Sequence, residues 1–118
     1  MTPYIYAGLS EKDQFFSKNK IKIVDKHEII QAVCMALEVT KDQLVSPTRK
    51  RPIVIARQIA IGLIRKYNPE ATLINIGKLF NRDHSTIIYA QRTFDDLNGR
   101  DKQFTQDVLK VLKLTNYT

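Results

Sequence analysis

No tryptophan, a single cysteine, four glycines, four prolines and no long apolar run mark this 118-residue sequence. One cysteine, Cys34, excludes an internal disulfide framework and fits a reducing cytoplasm. With only two histidines beside it, no spacing typical of a zinc site occurs, so no metal is expected. No apolar run approaches the roughly 20 residues that span a bilayer, and no early basic-plus-apolar segment resembles a signal peptide. Internal repeats and low-complexity stretches are missing too. Nucleotide chemistry also lacks its motif. A P-loop needs a glycine five residues before its Gly-Lys pair and a Ser or Thr after it, and around "IGKLF" those positions are Thr72 and Leu79. No cofactor is expected.

What is present is a hydrophobic content of 43%, enough for one small globular domain with a modest core. The net charge is +7, and its placement is uneven. Residues 1–45 carry six basic and six acidic side chains, and residues 93–118 carry four of each. Residues 46–92 carry nine basic against two acidic, so the whole excess sits in the middle. A concentrated excess of this kind is the electrostatic footprint of a polyanion binder.

Along the chain, residues 1–24 show no sustained periodicity and read as a weakly structured extension. "KNKIKIV" alternates like a strand but has no partner strand, and one helical turn is expected near "SEKDQFF". Residues 25–118 read as the folded domain. Asp25 is a good N-cap with Glu28 in capping-box position, and Ile29, Val33, Ala36 and Leu37 form one apolar stripe. A short turn returns Leu44 to the core. "SPTRKRP" (46–52) reads as an extended arm, because proline disfavours helix in the residue before it, with Pro52 opening the next helix. That helix carries Ile53, Ala56, Ala60, Leu63 and Ile64 inward, with Arg57, Arg65 and Lys66 outside. Its small residues Ala56, Ala60 and Gly62 permit a close neighbour. "TLINIGKLFN" follows behind the cap Thr72. Then come a turn at "NRD", a helix running to Gly99 with Ile87, Ala90, Phe94 and Leu97 inward, and a last helix over 101–114. The last helix sets Phe104, Val108, Leu109, Val111 and Leu112 toward the core. The reading is an all-α bundle.

Two helices joined by about three residues inside a basic all-α domain match the helix-turn-helix pattern. Asp83 stands at the start of the second helix, where an acid caps free N–H groups; capping and base reading are both open for it. His84, Ser85, Thr86 and Tyr89 occupy the first turn and the next exposed face, the part of such a helix that reaches base edges. Asp83 can accept from cytosine N4, and the threonine methyl can meet a thymine methyl. His84 can alternatively bond its own helix start. Catalysis fits poorly. Asp83, His84 and Ser85 are consecutive and diverge on a helix, while Cys34 and His27 stand about 10 Å apart along one. In the arm, extended geometry sets Arg49 and Arg51 on one side, suited to a narrow minor groove, with Lys50 between them. Arg57, Arg65 and Lys66 are then expected to clamp phosphates.

The run "IGKLFNRDHSTIIYA" resembles the signature of the DNA-binding domain of DnaA, the bacterial chromosomal replication initiator. That signature runs Ile-Gly-x-x-Phe-x-x-Arg-Asp-His-(Ser/Thr)-Thr and then aliphatic residues. Upstream, "RKRPIVIARQIAIGL" resembles that domain's basic loop and its Arg-Gln-containing helix, so the resemblance covers about residues 26–114. It implies a helix-turn-helix bundle of the Trp-repressor-like, DnaA domain IV-like kind, binding a short duplex box of the TTATCCACA type. It implies Arg49 in the minor groove, and Asp83, His84 and Ser85 reading the major groove. Thr86 follows as a base or phosphate contact, with Arg57, Gln58 and Arg65 on the backbone; Lys50, Arg51, Lys66 and Arg82 join them as basic neighbours. Tyr89 departs from the family, standing where a histidine is often found. The family's ATPase module is missing from these 118 residues, and the extension favours a free-standing relative over an excised domain.

The expectation is therefore a sequence-specific duplex-DNA binder without enzymatic activity. It is expected to be cytoplasmic, nucleoid-associated or phage-encoded, acting in replication initiation or nearby transcription. Its rival is a protein-interaction module of the same fold docking on a replication partner. RNA is disfavoured, because no exposed aromatic pair offers a stacking platform.

Overall fold

Short polar side chains set most of the helix starts, because they satisfy backbone N–H groups that the first turn leaves free. The computed structural model describes residues 24–115, and all the regular structure there is helical. Asp25 accepts from the His27 N–H and opens α1 (Lys26–Leu37). The capping box expected at Asp25 and Glu28 stands instead at Thr40 and Gln43, which bond each other's backbone at 3.0 and 2.9 Å and open α2 (Lys41–Val45). Thr72 caps α4 (Leu73–Phe80), Asp83 caps α5 (His84–Leu97) and Asp101 caps α6 (Lys102–Leu114). The readings made for residues 1–23 lie outside the described residues. Val24, placed in the extension by its sequence, is buried, and its N–H donates to the Tyr67 carbonyl.

The one long helix without a side-chain cap is α3 (Arg51–Tyr67). It begins one residue earlier than the sequence implies, with Pro52 second rather than first. First-turn N–H groups need no helical partner, and the Lys50 carbonyl accepts from both Ile53 and Val54. The arm is thus 46–50, and the extended alternation linking Arg49 to Arg51 does not hold, since Arg51 is helical.

α3 is the centre of the core. Ala56, Ile59, Ala60, Ile61 and Ile64 are completely buried, and α1, α2 and α5 pack around it. Gly62 is the point of closest approach. A Cβ there would lie 2.1 Å from Phe94 Cγ, so the absence of a side chain lets α5 settle against α3. Phe94 in turn meets Phe104 of α6 edge to face at 5.9 Å. Leu109 was expected inward on α6 but is 48% exposed; Phe104, Val108 and Val111 are buried as expected.

The turn between α4 and α5 is tight. Where the quoted signature sets two residues between its Phe and Arg, this chain has Asn81 alone between Phe80 and Arg82. Asn81 takes the left-handed conformation, φ 55°, and ends α4. The Arg82 N–H then donates to the Gly77 carbonyl at 2.8 Å. A Cβ on Gly77 would lie 2.4 Å from the Arg82 carbonyl oxygen, so glycine is what lets the turn fold back on α4.

Candidate nucleic-acid interface

The tip of α5 is organised by one carboxylate oxygen. Asp83 Oδ1 accepts from the Thr86 N–H at 3.0 Å, the Thr86 hydroxyl at 2.9 Å and the Ser85 hydroxyl at 2.9 Å. These bonds, the Thr86 backbone first, hold the Asp83 carboxyl below the usual carboxylate range. Oδ2 accepts no bond among the described residues. The two roles left open for Asp83 are therefore compatible, one oxygen capping and the other facing out. Because both hydroxyls spend their protons on Asp83, Ser85 and Thr86 present lone pairs outward. His84 and Tyr89 are exposed, Tyr89 by 68% and one turn further along the helix. Ile74, Lys78, Arg82, Asp83 and His84 border one open concavity.

The arm has no regular structure and is shaped by side chains. The Ser46 hydroxyl donates to the Gln43 carbonyl at 2.7 Å, and the Lys50 N–H donates to Thr48 Oγ1 at 3.3 Å. Its larger restraint is Arg57, expected from sequence to lie outside the core as a phosphate clamp. The structure corrects the placement. Arg57 is 8% exposed, and its guanidinium donates to the carbonyls of Leu44 (2.8 Å), Ser46 (3.1 Å), Gln43 (3.3 Å) and Thr48 (3.4 Å). Burial, and then the neighbouring Arg82 charge, push Arg57 below the usual arginine range. No carboxylate offsets the pair among the described residues. The signal was present: position 57 stands four residues after Ile53 and three before Ala60, inside the apolar stripe.

Arg49, Lys50 and Arg51 are exposed, and Arg49, Arg51 and half-buried Gln58 border a shared concavity with α5 and α6. Arg65 is not brought to the arm. It lies about 20 Å further along the α3 axis. There it links helices, donating to Gln91 Oε1 at 3.0 Å and to the Ala71 carbonyl at 3.2 Å. Lys66 is exposed, its Nζ 5.5 Å from the Tyr67 ring. Arg82, read as a backbone contact, is half-buried and bonded to the protein itself. Among the described residues no group of three or more metal-ligating side chains occurs. Nor is any described helix long and apolar enough to cross a membrane.

Residues 26–93 match the family described as the bacterial dnaA protein helix-turn-helix. The chromosomal replication initiator protein DnaA of Tropheryma whipplei (strain Twist) is 39% identical over 88 residues, covering 75% of this chain and 18% of that protein. Its counterpart in Flavobacterium psychrophilum is 38% identical over 103 residues, 84% of this chain and 21% of that protein. That of Oleidesulfovibrio alaskensis is 42% identical over 66 residues, 56% and 14% respectively. The chain thus spans about a fifth of the length of the relatives it matches. The basic arm, the tight turn and the matched residues lead to one assignment: the chain belongs to the bacterial DnaA helix-turn-helix family, whose domain is a DNA-binding one and not a catalytic one.

Proposed function

We propose that the domain binds duplex DNA sequence-specifically at boxes of the TTATCCACA type, in or near replication initiation. α5 enters the major groove by its N-terminal tip, and Arg49 enters the adjacent minor groove. The observation that carries this reading is the state of the tip. Asp83 Oδ2 and the outward lone pairs of Ser85 and Thr86 are all acceptors. In the major groove they suit the amino groups of cytosine and adenine, N4 and N6, and such base contacts are worth about 1–3 kcal/mol each. His84 adds a donor or an apolar edge beside them. Lys50, Arg51 and Gln58, whose side chains make no hydrogen bond among the described residues, and exposed Lys66, whose ammonium lies near the Tyr67 ring, hold phosphates, which orients the domain without reading sequence. Arg57 and Arg65 are spent on carbonyls and on Gln91 and act on DNA only through the shape they hold.

The test separates reading from capping. Serine caps a helix about as well as aspartate but offers one oxygen, so Asp83→Ser should keep the fold and lose discrimination. Titration against a box duplex and a shuffled one should show the preference falling at least fivefold, with unchanged circular dichroism. Full preference in a folded Asp83→Ser variant would contradict base reading by Asp83. Arg49 makes no hydrogen bond among the described residues, so Arg49→Ala should cost about 1–3 kcal/mol in box affinity without changing Tm.

A further inference from the structure

Arg82 lies in the turn of a DNA-reading motif, and an exposed arginine there would ordinarily be a phosphate contact. Its guanidinium faces the other way. One terminal nitrogen, Nη1, donates to the carbonyls of Phe80 at 3.1 Å and Asn81 at 3.2 Å, which belong to the turn. The other, Nη2, donates to the Ser46 carbonyl at 2.6 Å, thirty-six residues away in the arm. Ser46 is also where Arg57 arrives from α3, at 3.1 Å. Two cations with no carboxylate between them thus converge on one carbonyl oxygen, an arrangement that Coulomb repulsion opposes and that only directed hydrogen bonding sustains.

We propose that Arg82 is a positioning residue: its planar fork straps the arm to the helix-turn-helix turn, fixing where Arg49 stands relative to the tip of α5. This rests on the reading given above, in which the arm and tip occupy adjacent grooves. Arg57 fastens the arm to α3, and Arg82 fastens it to the turn from which α5 starts. The span from Ser46 to Arg49 is three residues, so a fixed Ser46 carbonyl leaves Arg49 little room to wander. A strapped arm also loses less conformational freedom when it enters a groove, so its contribution to affinity depends on the strap. Lysine at position 82 would retain the charge and lose the fork, because a single ammonium cannot span both sets of carbonyls in a plane.

Anisotropy titrations on a box-bearing duplex with Arg49→Ala, Arg82→Lys and the double variant test this as a double-mutant cycle. In the wild-type background Arg49→Ala should weaken binding about tenfold or more, and in the Arg82→Lys background less than about threefold. Equal penalties in the two backgrounds would overturn the strap. A second measurement needs no DNA. Backbone 15N order parameters for residues 46 and 48–50 should lie near about 0.85 in the wild type and fall below about 0.6 in Arg82→Lys, with α5 unchanged. Unaltered order parameters would overturn the proposal whatever the box titration gives. A wild type that fails to prefer the box over a shuffled duplex would sink the box reading instead, and the order parameters alone would then decide the strap.

Discussion

The arm and the tip of α5 are both polar, both exposed, and held in opposite ways. The tip is shaped from within: Asp83, Ser85 and Thr86 are neighbours in sequence, and one carboxylate oxygen gathers the donors. The arm is shaped from outside: Gln43, Leu44, Ser46 and Thr48 present carbonyls to Arg57, and Ser46 also to Arg82. A region shaped from within survives changes elsewhere in the domain. One shaped from outside fails when a distant side chain is lost, even one that never meets DNA. On the proposed reading, mutations that abolish binding divide into those that touch the nucleic acid and those that release the arm.

Arg57→Ala should break the comparison most severely. It leaves the Leu44 and Thr48 carbonyls without a donor among the described residues and removes one of the donors to Gln43 and Ser46, and charged hydrogen bonds of this kind contribute enough that a loss of about 2–4 kcal/mol is expected. For a domain of this size that lowers Tm by about 10 °C or more, measurable by thermal circular dichroism. Arg57→Lys should restore little of it. An unchanged Tm would mean that the arm holds its shape without the guanidinium.

Gly77→Ala comes next. The new Cβ meets the Arg82 carbonyl oxygen, which is backbone and moves only if the turn moves. Overpacking of this order costs about 1–3 kcal/mol. Box affinity should fall further than stability alone explains, because both the strap and the start of α5 shift. Parallel denaturant and DNA titrations would show it.

The smallest effect sharpens the account of the tip. Its hydrogen bonds to Thr86 and Ser85 lower the Asp83 pKa in the folded state, so the cap's contribution is present above the ordinary carboxylate pKa of about 4. That contribution is lost as the pH falls through the lowered pKa. In Asp83→Asn this component is missing at pH 7, so the variant should be slightly less stable than the wild type there while remaining folded. Urea titrations at pH 3 and pH 7 should therefore show the two proteins converging at the lower pH.

Much of this was legible from sequence because it is local. Asp25, Thr72 and Asp83 cap the helices that follow them, and the apolar stripe through Ile87, Ala90 and Phe94 faces the core as its spacing implies. Gly62 marked a close helix approach correctly, and Phe94 is the side chain that fills it. What escaped was tertiary. Charge argued Arg57 outward although its position lay on the buried stripe, and burial of a guanidinium depends on carbonyls that no periodicity reveals. Arg82 reads as a phosphate contact until the arm is seen beside it. Leu109 was expected near the core with its α6 neighbours, yet it is 48% exposed.

The central claim is that arm and tip together read sequence. It is tested most directly by fluorescence anisotropy of the 118-residue protein on a TTATCCACA-type duplex and a shuffled duplex, across a salt series. With about three or four cations on the duplex, Lys50, Arg51 and Lys66 on phosphates and Arg49 in the minor groove, log K should fall against log salt with a slope of about −3 on both duplexes. The account predicts a preference for the box that persists as salt rises, because base contacts release no counterions. Equal affinities with the same steep slope would contradict it and leave a basic clamp that does not read.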